Sequence, residues 1–415
     1  MVTALVVVGL LVAAFVGYNI GGSSTGVAFG PAVGSRIVRK TTAAALFTLF
    51  AFVGAWTVGR NVIDTMSDGI VPAAQFSPTA SVGVLFFTGL ALLISNIYGV
   101  PASTSMTAVG AIVGLGLATG TLDAALMFTI VSAWIVAPLI GFGVGAAIGR
   151  YLYPHLDARL SFGRMRDPLL RIDRSGFVPR PGLNENASTR DLIGAALVLV
   201  IACYMGFSAG ASNAANAVAP LVGNGSITMN QGILLAVGTI GLGGFTIARR
   251  TLATVGNDIT DLPILAALIV SLVGATIITV LSQLGIPASL AVSTTCCIIG
   301  LGWGRASRTA TLAELAKPTP PGEGETDLAT GSLATSPAGE ESAGPTVGQL
   351  ATGEAEAPTE PPENPDIPGI GNEAPEEVTA ESLFDPAATA RIVTLWILSP
   401  VVSVVGSYIL FALLL

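Results

Sequence analysis

Two stretches of this chain crowd hydroxyl and amide side chains together at short spacing. The first is GGSSTGVAFGPAVGS, from Gly21 to Ser35, and the second is GASNAANAVAPLVGN, from Gly210 to Asn224. Ser23, Ser24 and Thr25 in one, and Ser212, Asn213 and Asn216 in the other, supply O–H and N–H donors and oxygen acceptors without a formal charge. A second pair of polar steps follows each of them. Pro101 and Ala102 lead into Ser103, Thr104 and Ser105, and Pro287, Ala288 and Ser289 lead to Ser293, Thr294 and Thr295 a turn later. Proline followed by hydroxyl residues is a helix start, with proline in the first turn. A helix start offers free N–H groups and about half a positive charge. The chemistry these residues suit is multipoint hydrogen bonding of an anion without a fixed cluster of cations.

Carboxylates near these segments are few. Asp64 lies in VGRNVIDT, from Val58 to Thr65, and Asp258 and Asp261 lie in the matching VGNDITDL, from Val255 to Leu262. A carboxylate in such a segment can hold Na⁺ or a proton, and capping or loop roles compete with that reading. Asp123 reads as the cap of a helix that begins after Gly120. The lone histidine, His155, sits among arginines and receives no role. No metal cluster, nucleophile paired with a base or phosphate-binding loop is visible, which argues against an enzyme or an ATP-driven pump and calls for no cofactor.

The elements that must position these residues are membrane helices. The chain of 415 residues is 52% hydrophobic and 11% charged, with 50 glycines, far from the balance of a soluble domain. Its apolar windows run near 2–20, 41–58, 79–98, 103–119 and 122–148, then 191–209, 230–249, 263–284, 289–304 and 389–414. Windows of about 20 continuous residues exclude the alternating pattern of a membrane barrel. The N-terminal window lacks the basic start of a signal peptide and reads as the first span. Cys203, Cys296 and Cys297 all fall in apolar runs and read as packing residues, not as a disulfide framework.

Three segment pairs recur in the same order at an offset of about 190 residues, the third being YGVPASTS at Tyr98 and LGIPASLA at Leu284, so the chain is a tandem duplication. Glycine, alanine, serine and threonine also serve close helix contacts in membranes, and a single hydroxyl fits that role as well as a site. Recurrence of the whole set in order is what packing alone does not require. The predicted fold is all-α and polytopic, with two repeats of about five spans. An odd span count inverts the second copy, and the polar segments are expected to be re-entrant breaks that meet near the midplane.

The predicted organisation is an N-terminal transmembrane repeat over 1–148, an Arg-rich cytoplasmic loop over 149–190 and a C-terminal repeat over 191–305. A disordered acidic cytoplasmic loop over 306–388 and a final helix over 389–415 complete it. Between Pro318 and Pro386 there is no Lys or Arg, and such a composition cannot bury enough apolar area to order itself. Basic clusters at Arg36, Arg39 and Lys40, along 150–190, at Arg249 and Arg250, and at Arg305, Arg308 and Lys317 all face the cytoplasm when the N-terminus is outside. With only Lys40 and Lys317 as lysines and a net charge of −8, the composition suits a salt-adapted archaeon.

At these residues the chain resembles the inorganic phosphate transporter (PiT) family, over about 10–120 and 195–305. That family carries a GANDxxN-type signature in each half, a VGxxIT-like segment and a PxSTTH-like segment. FSAGASNAANAVAPLVG from Phe207 and PASTSMTAVGAIVG from Pro101 carry the likeness most clearly. Ser23-Ser24 and Ser212-Asn213 stand where the family has Asn-Asp, Val27 and Asn216 at its second Asn, and Met106 and Val292 at its His.

The resemblance implies secondary uptake of inorganic phosphate across the cell membrane, coupled to Na⁺ or H⁺, with the paired signatures forming the anion and cation site. Sulfate permeases share the scaffold, and neutral Ser and Asn can hydrogen-bond either oxyanion. Hydrogen phosphate can donate a hydrogen bond and sulfate cannot, so selectivity for phosphate calls for a buried acceptor. An anion channel is the reading from another class. The expected partners are the oxyanion and the lipid bilayer, with no nucleic acid, and a homodimer is one open assembly.

Overall fold

The computed structural model describes residues 2–35, 37–97, 103–159, 170–173, 180–183, 189–246, 264–307 and 386–414. Asp258, Asp261, Pro101 and nearly all of the predicted acidic loop lie outside these residues. Each of the ten apolar windows holds a helix among its described residues. The first half contains α1 (Val2–Gly34), α2 (Lys40–Trp56), α3 (Gly59–Asp64), α4 (Pro78–Ile97), α5 (Thr104–Thr119), α6 (Ala124–Ala147) and the short α7 (Tyr153–Arg159). The second contains α8 (Thr189–Gly223), α9 (Met229–Thr246), α10 (Ile264–Gln283), α11 (Leu290–Ala306) and α12 (Pro386–Leu414). A two-stranded antiparallel hairpin, Leu170–Asp173 with Arg180–Leu183, sits in the Arg-rich loop and is an addition to the all-helical expectation.

The duplicated polar segments are not breaks. They are the continuous second halves of α1 and α8, which run for 33 and 35 residues, about 50 Å each at 1.5 Å per residue. Two features make these segments helical. In α1 the hydroxyls return to the helix's own carbonyls, as Thr25 Oγ1 does to Gly21 O at 2.8 Å and Ser23 Oγ to Ile20 O at 3.1 Å, so they do not pull the chain away. Their glycines permit another helix to approach so closely that the backbone is covered by protein, which hydrocarbon demands of any polar stretch.

The true break in the first half lies one helix later. α2 and the unit formed by α3 with its π-helical turn Thr65–Gly69 meet at a bend of 63° around Thr57 and Val58. Five described helices are long and apolar enough to cross a bilayer, or six if this bent pair is one span. The apolar parts of α4 and α5, Pro78–Leu93 and Thr104–Thr119, are shorter. Ten full spans were expected from the sequence; a 16-residue helix such as α5 rises only about 24 Å against a hydrocarbon core of about 30 Å.

Helices of one half pack on helices of the other in a reciprocal way. α1 lies on α9 and α2 on α8; α5 lies on α12 and α6 on α11. The contacts are backbone against backbone. A Cβ on Gly21 would fall 1.8 Å from the Ile240 carbonyl oxygen, and one on Gly243 would fall 2.0 Å from that of Tyr18. The copies repeat the arrangement: a Cβ on Gly210 would meet Ala51 O at 2.1 Å and one on Gly54 would meet Phe207 O at 1.9 Å. In each pair the contacts advance together along both chains, so partners run in the same direction. Gly141, Gly145 and Gly149 of α6 and its extension meet the carbonyls of Ser293, Cys297 and Leu301 of α11 in turn.

Because these contacts leave no room for a methyl group, Gly210→Val should cost at least about 2 kcal/mol or prevent accumulation of folded protein. Gly238→Ala, where nothing lies within 4 Å of the added carbon, should stay within about 0.5 kcal/mol of the parent. Thermal unfolding of the detergent-solubilised protein measures both, and equal stability of the two variants would remove the close-approach argument.

Candidate functional site

The second half of α8 is enclosed by protein. Every residue from Ala211 to Pro220 is buried, the pattern of a helix surrounded by protein on all sides. Within that stretch Ser212, Asn213 and Asn216 are 0%, 6% and 1% exposed. Spacings of three and four place them on one face. That face meets the first turn of α5.

The start of α5 is set by Ser103, whose hydroxyl accepts a hydrogen bond from Met106 N at 3.3 Å. In α11 the equivalent cap is Ser289, which accepts from Val292 N at 3.4 Å. Each helix therefore begins after serine and not at the expected proline: Pro287 lies two residues ahead of its cap, and its carbonyl accepts from Trp134 Nε1 at 2.7 Å. Asp123 caps α6 through Leu126 N at 2.8 Å, as its position after Gly120 predicts.

Four of the sequence-predicted residues join in one network across the two halves. Thr104 Oγ1 donates to Asn213 Oδ1 at 2.8 Å. Asn216 Nδ2 reaches Asn213 Oδ1 at 3.2 Å, Ser105 Oγ at 3.2 Å and Thr104 Oγ1 at 3.3 Å. Two buried atoms on the same face of α8 have no partner among the described residues: Ser212 Oγ and Asn216 Oδ1. A buried polar atom left unpaired costs about 1–3 kcal/mol, so its presence calls for a reason. The arrangement brings together the first-turn N–H groups of α5, one free hydroxyl and one free amide oxygen, with no charged group among the described residues of the network.

The other predicted set does not assemble. Ser23 is exposed and bonds only its own helix, and Thr25 faces α9 at Gly244. Thr294 bonds Leu290 O at 2.8 Å and lies against Gly274 of α10. Ser24, Ser293 and Thr295 make no side-chain hydrogen bond to the α5–α8 network among the described residues. The copies differ chemically at the counterparts of both amides, Ser24 for Asn213 and Val27 for Asn216, and Val27 is 51% exposed.

Asp64 ends α3 on an exposed surface, and its carboxylate has no partner among the described residues. Asp68 caps the turn after it, accepting from Ala73 N at 2.6 Å. Sequence reasoning missed Thr107, whose buried Oγ1, one turn beyond the α5 cap, has no partner among the described residues. It also missed Ser403 and Ser407 of α12, which donate to Thr107 O at 2.9 Å and Ala111 O at 2.6 Å and fasten the last helix to α5. The i, i+4 spacing of those serines was the available signal.

Comparison with known proteins follows the same lines. The model of the phosphate transporter family matches residues 20–319. A sulfate permease of Bacillus subtilis is 31% identical over 294 residues, covering 71% of this chain and 76% of its own length. The chloroplastic inorganic phosphate transporter 2-1 of Arabidopsis thaliana is 23% identical, covering 71% of this chain and 65% of its own. The solved structure of a sodium-dependent phosphate transporter superposes with a TM-score of 0.64 at 17% identity, covering 99% of each chain, which establishes the likeness of fold.

The geometry sets Thr104, which joins the network, apart from Thr294, which bonds its own helix. Thr104→Val removes both the donor to Asn213 and the acceptor of Asn216, and it should lower substrate uptake at least about tenfold, roughly the cost of leaving one buried polar group unpaired. Thr294→Val, which loses only a bond to its own helix, should stay within about twofold. Uptake into vesicles at matched protein levels distinguishes them; equal losses in both variants would mean that the copies serve alike.

Proposed function

The chain belongs to the phosphate transporter family, and from that premise we propose that it is a cation-coupled carrier of inorganic phosphate that binds its substrate at Thr104, Ser105, Ser212, Asn213 and Asn216. As a member of that family it is a transporter of the plasma membrane, not an enzyme, and it crosses the bilayer several times. The observation that carries the proposal is the buried network between α5 and α8, with two polar atoms left unpaired beside a helix N-terminus. Such a site attracts an anion through N–H groups and the end of the helix dipole, and it releases the anion without breaking an ion pair.

Access to a site this deeply buried requires one part of the molecule to move against another, which suits alternating access between repeats. The contact registers support the inverted arrangement. α1 runs with α9, the copy of α2, and α2 runs with α8, the copy of α1. Since α1 and α2 are joined by only five residues, 35–39, and return past each other, α1 and its copy α8 point in opposite directions. The same reasoning holds for α5, α6, α11 and α12.

Sulfate is the second reading, and two observations favour it: the network holds no carboxylate among its described residues, and the Bacillus subtilis relative is named a sulfate permease. For the driving ion, the sodium dependence of the superposed transporter supports Na⁺, with H⁺ as the alternative. Asp64, Asp258 and Asp261 are the proposed coupling carboxylates.

Reconstituted protein should take up labelled phosphate saturably and accumulate it only when a Na⁺ or H⁺ gradient is imposed. Uptake that never saturates and ignores both gradients would indicate a channel. For topology, single cysteines at Arg39 and Asp68, both exposed, go into a chain whose own three cysteines are replaced. In intact cells the Asp68→Cys variant should react with an impermeant thiol reagent and the Arg39→Cys variant should be protected; the opposite pattern would reverse the orientation proposed for the first half.

A further inference from the structure

Asn216 Oδ1 can only accept a hydrogen bond, and no donor among the described residues faces it. The nitrogen side of the amide lies on the network. Its Nδ2 points at Asn213 Oδ1, 3.2 Å away, an oxygen that already receives the Thr104 hydroxyl proton. With the N–H side on the network, the carbonyl oxygen faces the other way. The residue is 1% exposed, and bulk water therefore does not supply the missing donor.

Resting on the oxyanion reading above, we propose that Asn216 Oδ1 selects oxyanions that carry a proton, making the site a reader of the substrate's own O–H group. Near neutral pH hydrogen phosphate and hydrogen arsenate each keep one O–H. Sulfate and monofluorophosphate have the same shape and the same double negative charge without it. The free Ser212 hydroxyl, which can donate, and the α5 N–H groups serve the unprotonated oxygens that all four anions share. Only the Asn216 oxygen distinguishes them. A protonless anion would place an oxygen lone pair against this buried acceptor, so the loss is the missing bond plus a repulsion.

The test is competition against labelled phosphate uptake by the reconstituted full-length protein near neutral pH. Arsenate should compete within about threefold of unlabelled phosphate, whereas sulfate and monofluorophosphate should need at least about tenfold more. Sulfate or monofluorophosphate competing within about twofold of phosphate would overturn the proposal and leave oxyanion transport standing; uptake of no oxyanion at all would overturn both. Asn216→Ala adds a second reading: wherever the variant retains measurable uptake, the ratio of monofluorophosphate to phosphate inhibition should collapse toward one. A purely structural role for Asn216 would lower uptake of every anion alike and leave that ratio unchanged, which would also overturn the proposal.

Discussion

The structure depends on glycines that bring helix backbones of the two halves into direct contact. Lipid offers no hydrophobic drive for helices to associate, so packing and hydrogen bonding must hold them together. Gly21 on Ile240, Gly243 on Tyr18, Gly210 on Ala51 and Gly54 on Phe207 are the places where a side chain cannot intervene. Their consequence is that α8 is enclosed between α1, α2, α4 and α10. A helix so enclosed can carry asparagine and serine at membrane depth, because protein and not hydrocarbon surrounds them.

Enclosure also sets the value of each polar atom. In the low-polarity interior a hydrogen bond is strengthened and an unpaired group is penalised. Thr104, Ser105, Asn213 and Asn216 satisfy one another to a large extent, which holds the α5 start against α8. What they leave unpaired faces one side. The same network is thus both a clasp between the halves and the lining of the proposed site.

Three segments recur in the two halves, and the copies differ in what their polar side chains contact. Both copies keep the glycines that pack helices and the serine that caps the later helix, Ser103 in one and Ser289 in the other. The amides survive only in the second copy. Where α8 has buried Asn216, α1 has exposed Val27, and the hydroxyls near it turn back on their own helix. Scaffolding was retained twice, whereas the polar network among the described residues exists once.

Much of this was legible in the sequence. Helix positions follow from apolar windows, because a stretch of such residues is stable in lipid only with its backbone bonds closed internally. The duplication follows from ordered repeats of GGSS and GASN, and Asp123 as a cap follows from its place after Gly120. The residues of the network could be picked out as well, since Asn213 and Asn216 are conspicuous amides in an apolar chain. Tertiary structure decided the rest. Glycine-rich segments read as breaks when their backbone is imagined facing lipid; with Ile240 and Ala51 against them they remain helical. Which of twelve candidate hydroxyl and amide residues would meet was equally undetermined, because a hydroxyl can bond its own helix or a neighbour at similar cost, and only the register of α5 on α8 makes Thr104 choose Asn213 while Thr294 keeps to Leu290.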